Sequence, residues 1–221
     1  MISVLKKYKL ASKLDLGVVT SSSQFSMYAI SLTLTEEGFN KLNGVIDLTY
    51  TYLNLMRESK IDQDTYREIY NISKIEFKFL EKKKSYGDYL SSLAINMFQY
   101  SDRDIIYGDY THSNFDENII QDYIKSFRPD NAIVMIGSPL QPIQQIKDIY
   151  FKNTKNQTEP WYGTNYMQQF LSKEYIKYLM NLNNTENFVL RRKNIFITSE
   201  TTIKTCLDEN VSSILKLARN M

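Results

Sequence analysis

The sequence has one histidine, His112, and one cysteine, Cys206. Hydrolytic zinc sites draw on two or three His or Cys ligands and keep one position open for water. No His-x-x-Glu-His run places two imidazoles and a general base on one helical face. A single cysteine excludes an internal disulfide and fits a reducing compartment. A Cys206–His112 nucleophile pair has no identifiable third residue to orient it. His112 therefore reads as a solvated or capping residue, and Cys206 as a small buried hydrophobe. The seven glycines are scattered singly, so no phosphate-cradling loop is encoded. No run reaches the ~20 apolar residues that span a bilayer. The start, Met1-Ile2-Ser3-Val4-Leu5-Lys6-Lys7, lacks a signal-peptide core and cleavage site. No membrane partner is expected, and the expected compartment is the cytoplasm. Charge of one sign is lacking too: 27 basic residues stand against 25 acidic ones. Lys82-Lys83-Lys84 and Arg191-Arg192-Lys193 thus read as solvated surface, and no nucleic-acid partner is expected.

What is present is helix and strand patterning. Residues 2–9 read as the end of a helix. Leu14, Leu16 and Val18 alternate in a strand, and serines at 21–23 make a turn. Phe25 to Leu34 is a second strand, apolar on both faces and so expected to be internal. Thr35 caps a helix whose stripe is Phe39, Leu42, Val45, Ile46, Thr49, Leu53 and Met56. A second helix runs from Asp62 to Lys78, with Tyr66, Ile69, Tyr70 and Ser73 on one face. A third carries Tyr86, Tyr89, Leu90, Leu93, Ala94 and Met97. A fourth begins at Asp116 with Ile119, Ile120, Tyr123, Ile124 and Phe127 inward, and stops at Pro129. Ala132 to Gly137 reads as a buried strand, 139–158 as a polar surface insertion, and Ser172 as the cap of a last clear helix. Beyond Asn187 the chain reads as extended pieces, with a tail that is helical from Asn210. The carboxylate pairs Glu36/Glu37 and Asp62/Asp64 sit where helix N-termini favour negative charge, which explains them without catalysis. Strands followed by several helices and a further strand argue for an α+β layer fold.

One run is too aromatic for an ordinary loop: Glu159-Pro160-Trp161-Tyr162-Gly163-Thr164, with the only tryptophan. Either it is a turn packed over its own core, or it is pinned against another surface. Trp161 is expected to be buried in either case.

An ordered set of segments resembles the insulinase family of zinc metallopeptidases. It starts with Leu32-Thr33-Leu34-Thr35-Glu36-Glu37-Gly38 and Tyr52-Leu53-Asn54-Leu55-Met56-Arg57. Phe77-Lys78-Phe79, Tyr89 and Ala94, Phe115-Asp116 and Arg128-Pro129-Asp130-Asn131 follow. The set closes with the 159–164 run and with Leu190, Asn194, Phe196 and Ile197. Each is weak alone; the order and spacing make the set specific.

The resemblance implies a mostly antiparallel sheet with helices layered on one face, of the processing-peptidase type, followed by an inter-domain segment. Family members have four homologous α+β units around a hinged chamber, with the zinc motif in the first. This chain resembles the second, zinc-less unit, lacking its first strand upstream of Met1. The implied division is 1–166 for that unit, with the insertion at about 139–158, and 167–221 for a closing helix and connecting segment. No cofactor is expected in this chain; zinc is expected in the parent enzyme, outside this segment. The implied role is non-catalytic: chamber wall and substrate binding for a zinc metalloendopeptidase that degrades peptides. The alternative is a catalytically inactive binding or assembly protein of the same fold. The expected partners are peptide substrates and other units of the same polypeptide. The resemblance places a peptide-binding exosite at Leu14, Leu16, Gly17 and Val18, where Leu16-Gly17-Val18 replaces the family's Gly-Gly-Gln. Glu159, Trp161, Tyr162, Gly163 and Thr164 form its structural motif. Arg191 and Thr198 replace two prolines of the late segment.

Overall fold

A computed structural model describes residues 1–22, 24–81, 85–111, 115–138, 151–198 and 200–202, with side chains omitted at 151–154. Lys82–Lys84, His112, Cys206, the tail from Asn210 and residues 139–150 of the expected insertion lie outside the described residues. The elements are α1 (Ile2–Lys7), β1 (Ala11–Ser21), β2 (Ser26–Leu34), α2 (Glu36–Asn40), α3 (Leu42–Glu58), α4 (Gln63–Lys78), α5 (Tyr86–Gln99), α6 (Glu117–Lys125), β3 (Phe151–Thr158), β4 (Asn165–Leu171) and α7 (Lys173–Met180). Helices and antiparallel strands mix as the sequence predicts. The strands form two separate antiparallel pairs, β1–β2 and β3–β4. The chain divides into two compact units, residues 1–61 with 116–191, and residues 62–115 with 192–221.

The first unit has two apolar clusters. Leu5, Leu10, Ala11 and Val45 form one, with Leu32, Leu34 and Leu48 against it. They fasten the base of the β1–β2 hairpin to α1 and α3. Tyr50, Leu53, Tyr175 and Leu179 form the other, joined by Ile46, Met56 and Phe127, and it fastens α7 to α3. Helix starts follow local chemistry. The Thr35 hydroxyl accepts from Gly38 N at 3.0 Å, and the Ser172 hydroxyl from Tyr175 N at 3.1 Å. Asp116 Oδ1 accepts from Asn118 N and Ile119 N. Each satisfies an N–H that the first helical turn leaves unpaired. The predicted single helix after Thr35 is interrupted at Lys41, whose φ of −118° and ψ of 39° separate α2 from α3. Its stripe is broader than predicted, because Tyr50, Thr51 and Asn54 are buried as well.

In the second unit, the side chains of Asp62 and Ser85 cap the starts of α4 and α5. Phe77 packs on Tyr107 and Tyr110, ring centroids 4.6 and 5.3 Å apart. The buried position of α4 is Glu68, not Ile69, which is exposed. Glu68 Oε1 accepts from Asn194 N at 3.0 Å, and that bond compensates its burial. On α5, Asn96 is buried and donates to Ile105 O at 3.0 Å and to Asp109 Oδ2 at 3.1 Å. Leu90, Ala94 and Met97 are exposed, since the 100–111 segment engages the Asn96 side of the helix.

Three further expectations are corrected. β2 is not internal: it pairs only with β1 among the described residues, and most of its positions are exposed. Ala132 to Gly137 forms no strand pairing among the described residues, and Ile133 and Met135 are almost fully exposed, because no described strand lies alongside to take its hydrogen bonds. The segment 151–158 is strand β3, not irregular insertion; it pairs with β4 from Phe151↔Leu171 to Thr158↔Asn165.

Candidate functional site: the open edge of the first hairpin

β1 and β2 are joined by a serine turn. Ser22 N donates to Phe25 O at 2.9 Å, and Ser22 Oγ accepts from the N–H groups of Gln24 and Phe25. The turn fixes the register, which runs Lys13↔Thr33, Leu14↔Leu32, Asp15↔Ser31, Leu16↔Ile30, Gly17↔Ala29 and Val18↔Tyr28. Irregularities at Ser12 and Val19 bound this six-residue run. Bulges are a common feature of strands at sheet edges. Among the described residues β1 pairs on one side only, so its other side presents unpaired N–H and C=O groups.

All four residues of the expected exosite lie in this run. Leu14, Leu16 and Val18 share one face with Leu32, Ile30 and Tyr28. The lower end of that face is anchored: Leu14 and Leu32 are half-buried, and Leu32 reaches the first apolar cluster. The upper end is open, with Leu16 69% and Val18 58% exposed. Tyr28 packs edge-on against Phe127 with centroids 5.6 Å apart. The opposite face is polar: Lys13 Nζ and Asp15 Oδ2 pair at 2.8 Å. Gly17 follows on that face, with nothing within 4 Å of where a Cβ would stand. The sequence reading named the apolar positions and missed this polar face; the interleaved Lys13 and Asp15 were the available signal.

The other named set, Glu159 to Thr164, lies elsewhere as the turn between β3 and β4. Glu159 Oε1 accepts from Trp161 N at 2.9 Å, and its Oε2 accepts from Tyr162 N at 2.6 Å. Glu159 N donates to Thr164 O, and Gly163 N to Glu159 O. Gly163 has φ +66°, which a glycine adopts without steric cost. The expected burial of Trp161 is overturned: the residue is 87% exposed and Tyr162 90%. The turn is held by its own backbone and the Glu159 carboxylate, so the rings are free to project. Trp161→Ala is therefore expected to change stability by no more than about 0.5 kcal/mol in a urea titration. The native tryptophan emission should match that of an exposed indole.

A cavity of about 600 Å³ in the first unit is lined by Asp47, Thr51, Glu174, Lys177, Tyr178 and Glu186 among others. Burial raises the Asp47 carboxyl above its ordinary range, and the Tyr178 hydroxyl, donating to Oδ2 at 3.0 Å, opposes that shift. A carboxyl whose folded pKa lies above its unfolded value loses stability for the fold as pH rises through that interval. Asp47→Asn, which keeps an acceptor for Tyr178, is expected to raise the thermal midpoint at pH 7. The gain should vanish at a pH below both values.

Among the described residues, no three of His, Cys, Asp or Glu gather as a metal ion would require. No described helix is long and apolar enough to cross a membrane.

Comparison with known proteins gives this geometry its context. The family model described as "Middle or third domain of peptidase_M16" matches residues 77–218. A "Nardilysin-like" protein of Arabidopsis thaliana is 29% identical over 207 residues, covering 91% of this chain and 19% of that protein. "Insulin-degrading enzyme" of Homo sapiens is 26% identical over 197 residues, covering 89% of this chain and 18% of that protein. The crystal structure of pitrilysin superposes with a TM-score of 0.66 at 20% identity, over 80% of this chain and 18% of that one. The chain thus spans about a fifth of the length of these relatives. With the family model covering well over half of it, the chain belongs to the insulinase family of metallopeptidases, peptidase M16.

Proposed function

We propose that this chain is a non-catalytic, substrate-binding part of an insulinase-like zinc metallopeptidase, and that it captures extended peptides by strand addition to the outer side of β1. The observation that carries this reading is the six-residue run Lys13–Val18, in regular register with β2 and, among the described residues, unpaired on its other side. An open edge offers main-chain donors and acceptors to any extended chain, so affinity comes from the ladder itself. Leu14, Leu16, Gly17 and Val18 are the contact positions in this reading. The whole protein would hydrolyse peptides with metal-activated water, its zinc held outside this segment. Residues 1–166 would form the zinc-less unit, and 167–221 the closing helix and connection to the next. Family membership supports the peptide substrate class, and one human relative is named for degrading insulin.

Backbone chemistry tests this directly. A fluorescent peptide of about 20 residues is titrated against the chain by anisotropy. A version with every central amide N-methylated cannot donate to a ladder. Strand addition predicts at least about a tenfold loss of affinity for the methylated peptide, the loss of one to two hydrogen bonds or more. Equal affinity for the two peptides would rule the edge out as the binding site.

A further inference from the structure

We infer that the β1 edge selects peptides whose residues alternate apolar and polar along the strand. This rests on the strand-addition reading and adds a substrate class to it. A strand added to β1 sets its side chains level with those of β1, alternately on the two faces of the hairpin. On one face they meet Leu14, Leu16 and Val18. Leu16 and Val18 keep most of their surface in water, so an apolar neighbour gains by covering them. On the other face the added side chains meet the Lys13–Asp15 ion pair, then Gly17 opposite Ala29. An apolar residue there covers no apolar surface of β1 beyond the Lys13 stem and takes water from an ion pair. A polar residue keeps that water or joins the pair.

The two faces therefore ask for opposite chemistry at adjacent positions. A slip of one residue exchanges them all, so the same pattern also fixes register. The irregularities at Ser12 and Val19 limit the readable length to six residues, three to each face. The occupant is an extended amphipathic peptide with apolar side chains at every second position over that length.

Two labelled peptides of identical composition test this on the full chain. One carries valine and threonine in strict alternation over six residues; the other carries three valines followed by three threonines. Anisotropy gives the affinities, and hydrogen exchange of residues 13–18 gives the place of binding. The alternating peptide is expected to bind at least about fivefold tighter, as favourable cross-strand pairs summed over one face imply. The preference should fall when Leu16 and Val18 are both changed to serine. It should also fall in a second variant, Lys13→Leu with Asp15→Leu, which makes both faces apolar. Equal affinity, with amides 13–18 protected by both peptides, overturns the selectivity and leaves strand addition standing. Absence of protection with either peptide overturns both. A chain that is dimeric without peptide, with amides 13–18 already protected, overturns the peptide as occupant in favour of a second copy.

Discussion

Asn54→Ala is expected to remove about 2–4 kcal/mol from the stability of the first unit. Asn54 is 2% exposed, and its Nδ2 lies 2.9 Å from Leu179 O, 3.2 Å from Met180 O and 3.1 Å from Leu182 O. The last carbonyls of a helix have no partner within it. α7 ends at Met180 without a glycine cap, and Asn54 supplies donors from α3 instead. An amide has two N–H donors for these three acceptors, so one bond is shared. Arg57 Nη2 donates to Asn54 Oδ1 at 2.8 Å and fixes which way the amide points. Alanine leaves the carbonyls without that donor beside a fully buried Leu179 and opens a void. Urea denaturation followed by circular dichroism measures the loss. A change within about 0.5 kcal/mol would mean that water reaches the carbonyls as readily as Asn54 does.

Gly38→Ala is expected to cost about 3 kcal/mol or more, the upper end of overpacking penalties. A Cβ on Gly38 would stand 1.8 Å from Leu10 O and 2.7 Å from Leu10 C. Both are backbone atoms, so no side-chain rotation relieves the clash. Leu10 O is also the acceptor for Thr35 N at 3.1 Å, and the Thr35 hydroxyl donates to Lys9 O at 2.5 Å. Those bonds hold the start of α2 against the entry to β1. Moving α2 outward by the required distance breaks them and loosens the hairpin that carries the open edge. Gly17→Ala is the contrasting control. Nothing stands within 4 Å of that Cβ, so its folding stability should be almost unchanged. Thermal melts of the two variants make the comparison, and equal midpoints would contradict the close approach at Gly38.

Much of this fold is legible in the sequence because it is written locally. Thr35, Asp116 and Ser172 announce helix starts through side chains that reach their own first turns. The Thr35–Gly38 junction, Arg128-Pro129-Asp130-Asn131 and the 159–164 run carry the family resemblance in order. Burial was less legible, and the failures share one cause. Period-two or helical spacing says which face is apolar but not what covers it. β2, α5 and the 132–137 stretch all have apolar patterning, yet Leu90, Met97, Ile133 and Met135 are exposed because no described element lies against them. Trp161 misled for a different reason. Its turn is closed by Glu159 and Gly163 through backbone bonds, so the ring has no structural duty. The candidate edge was legible as four positions. Its one-sided pairing, bounding bulges and polar reverse face required the register.

The central claim is that β1 takes a peptide as an added strand. Hydrogen exchange of the full chain, with and without a long extended peptide at saturating concentration, tests it most directly. β2 already holds one side of β1, so half of the amides from Lys13 to Val18 should be slow in either condition. The account predicts that the remaining amides of this run become protected only when peptide is present. Unchanged exchange across residues 13–18, with new protection elsewhere in the chain, would contradict it.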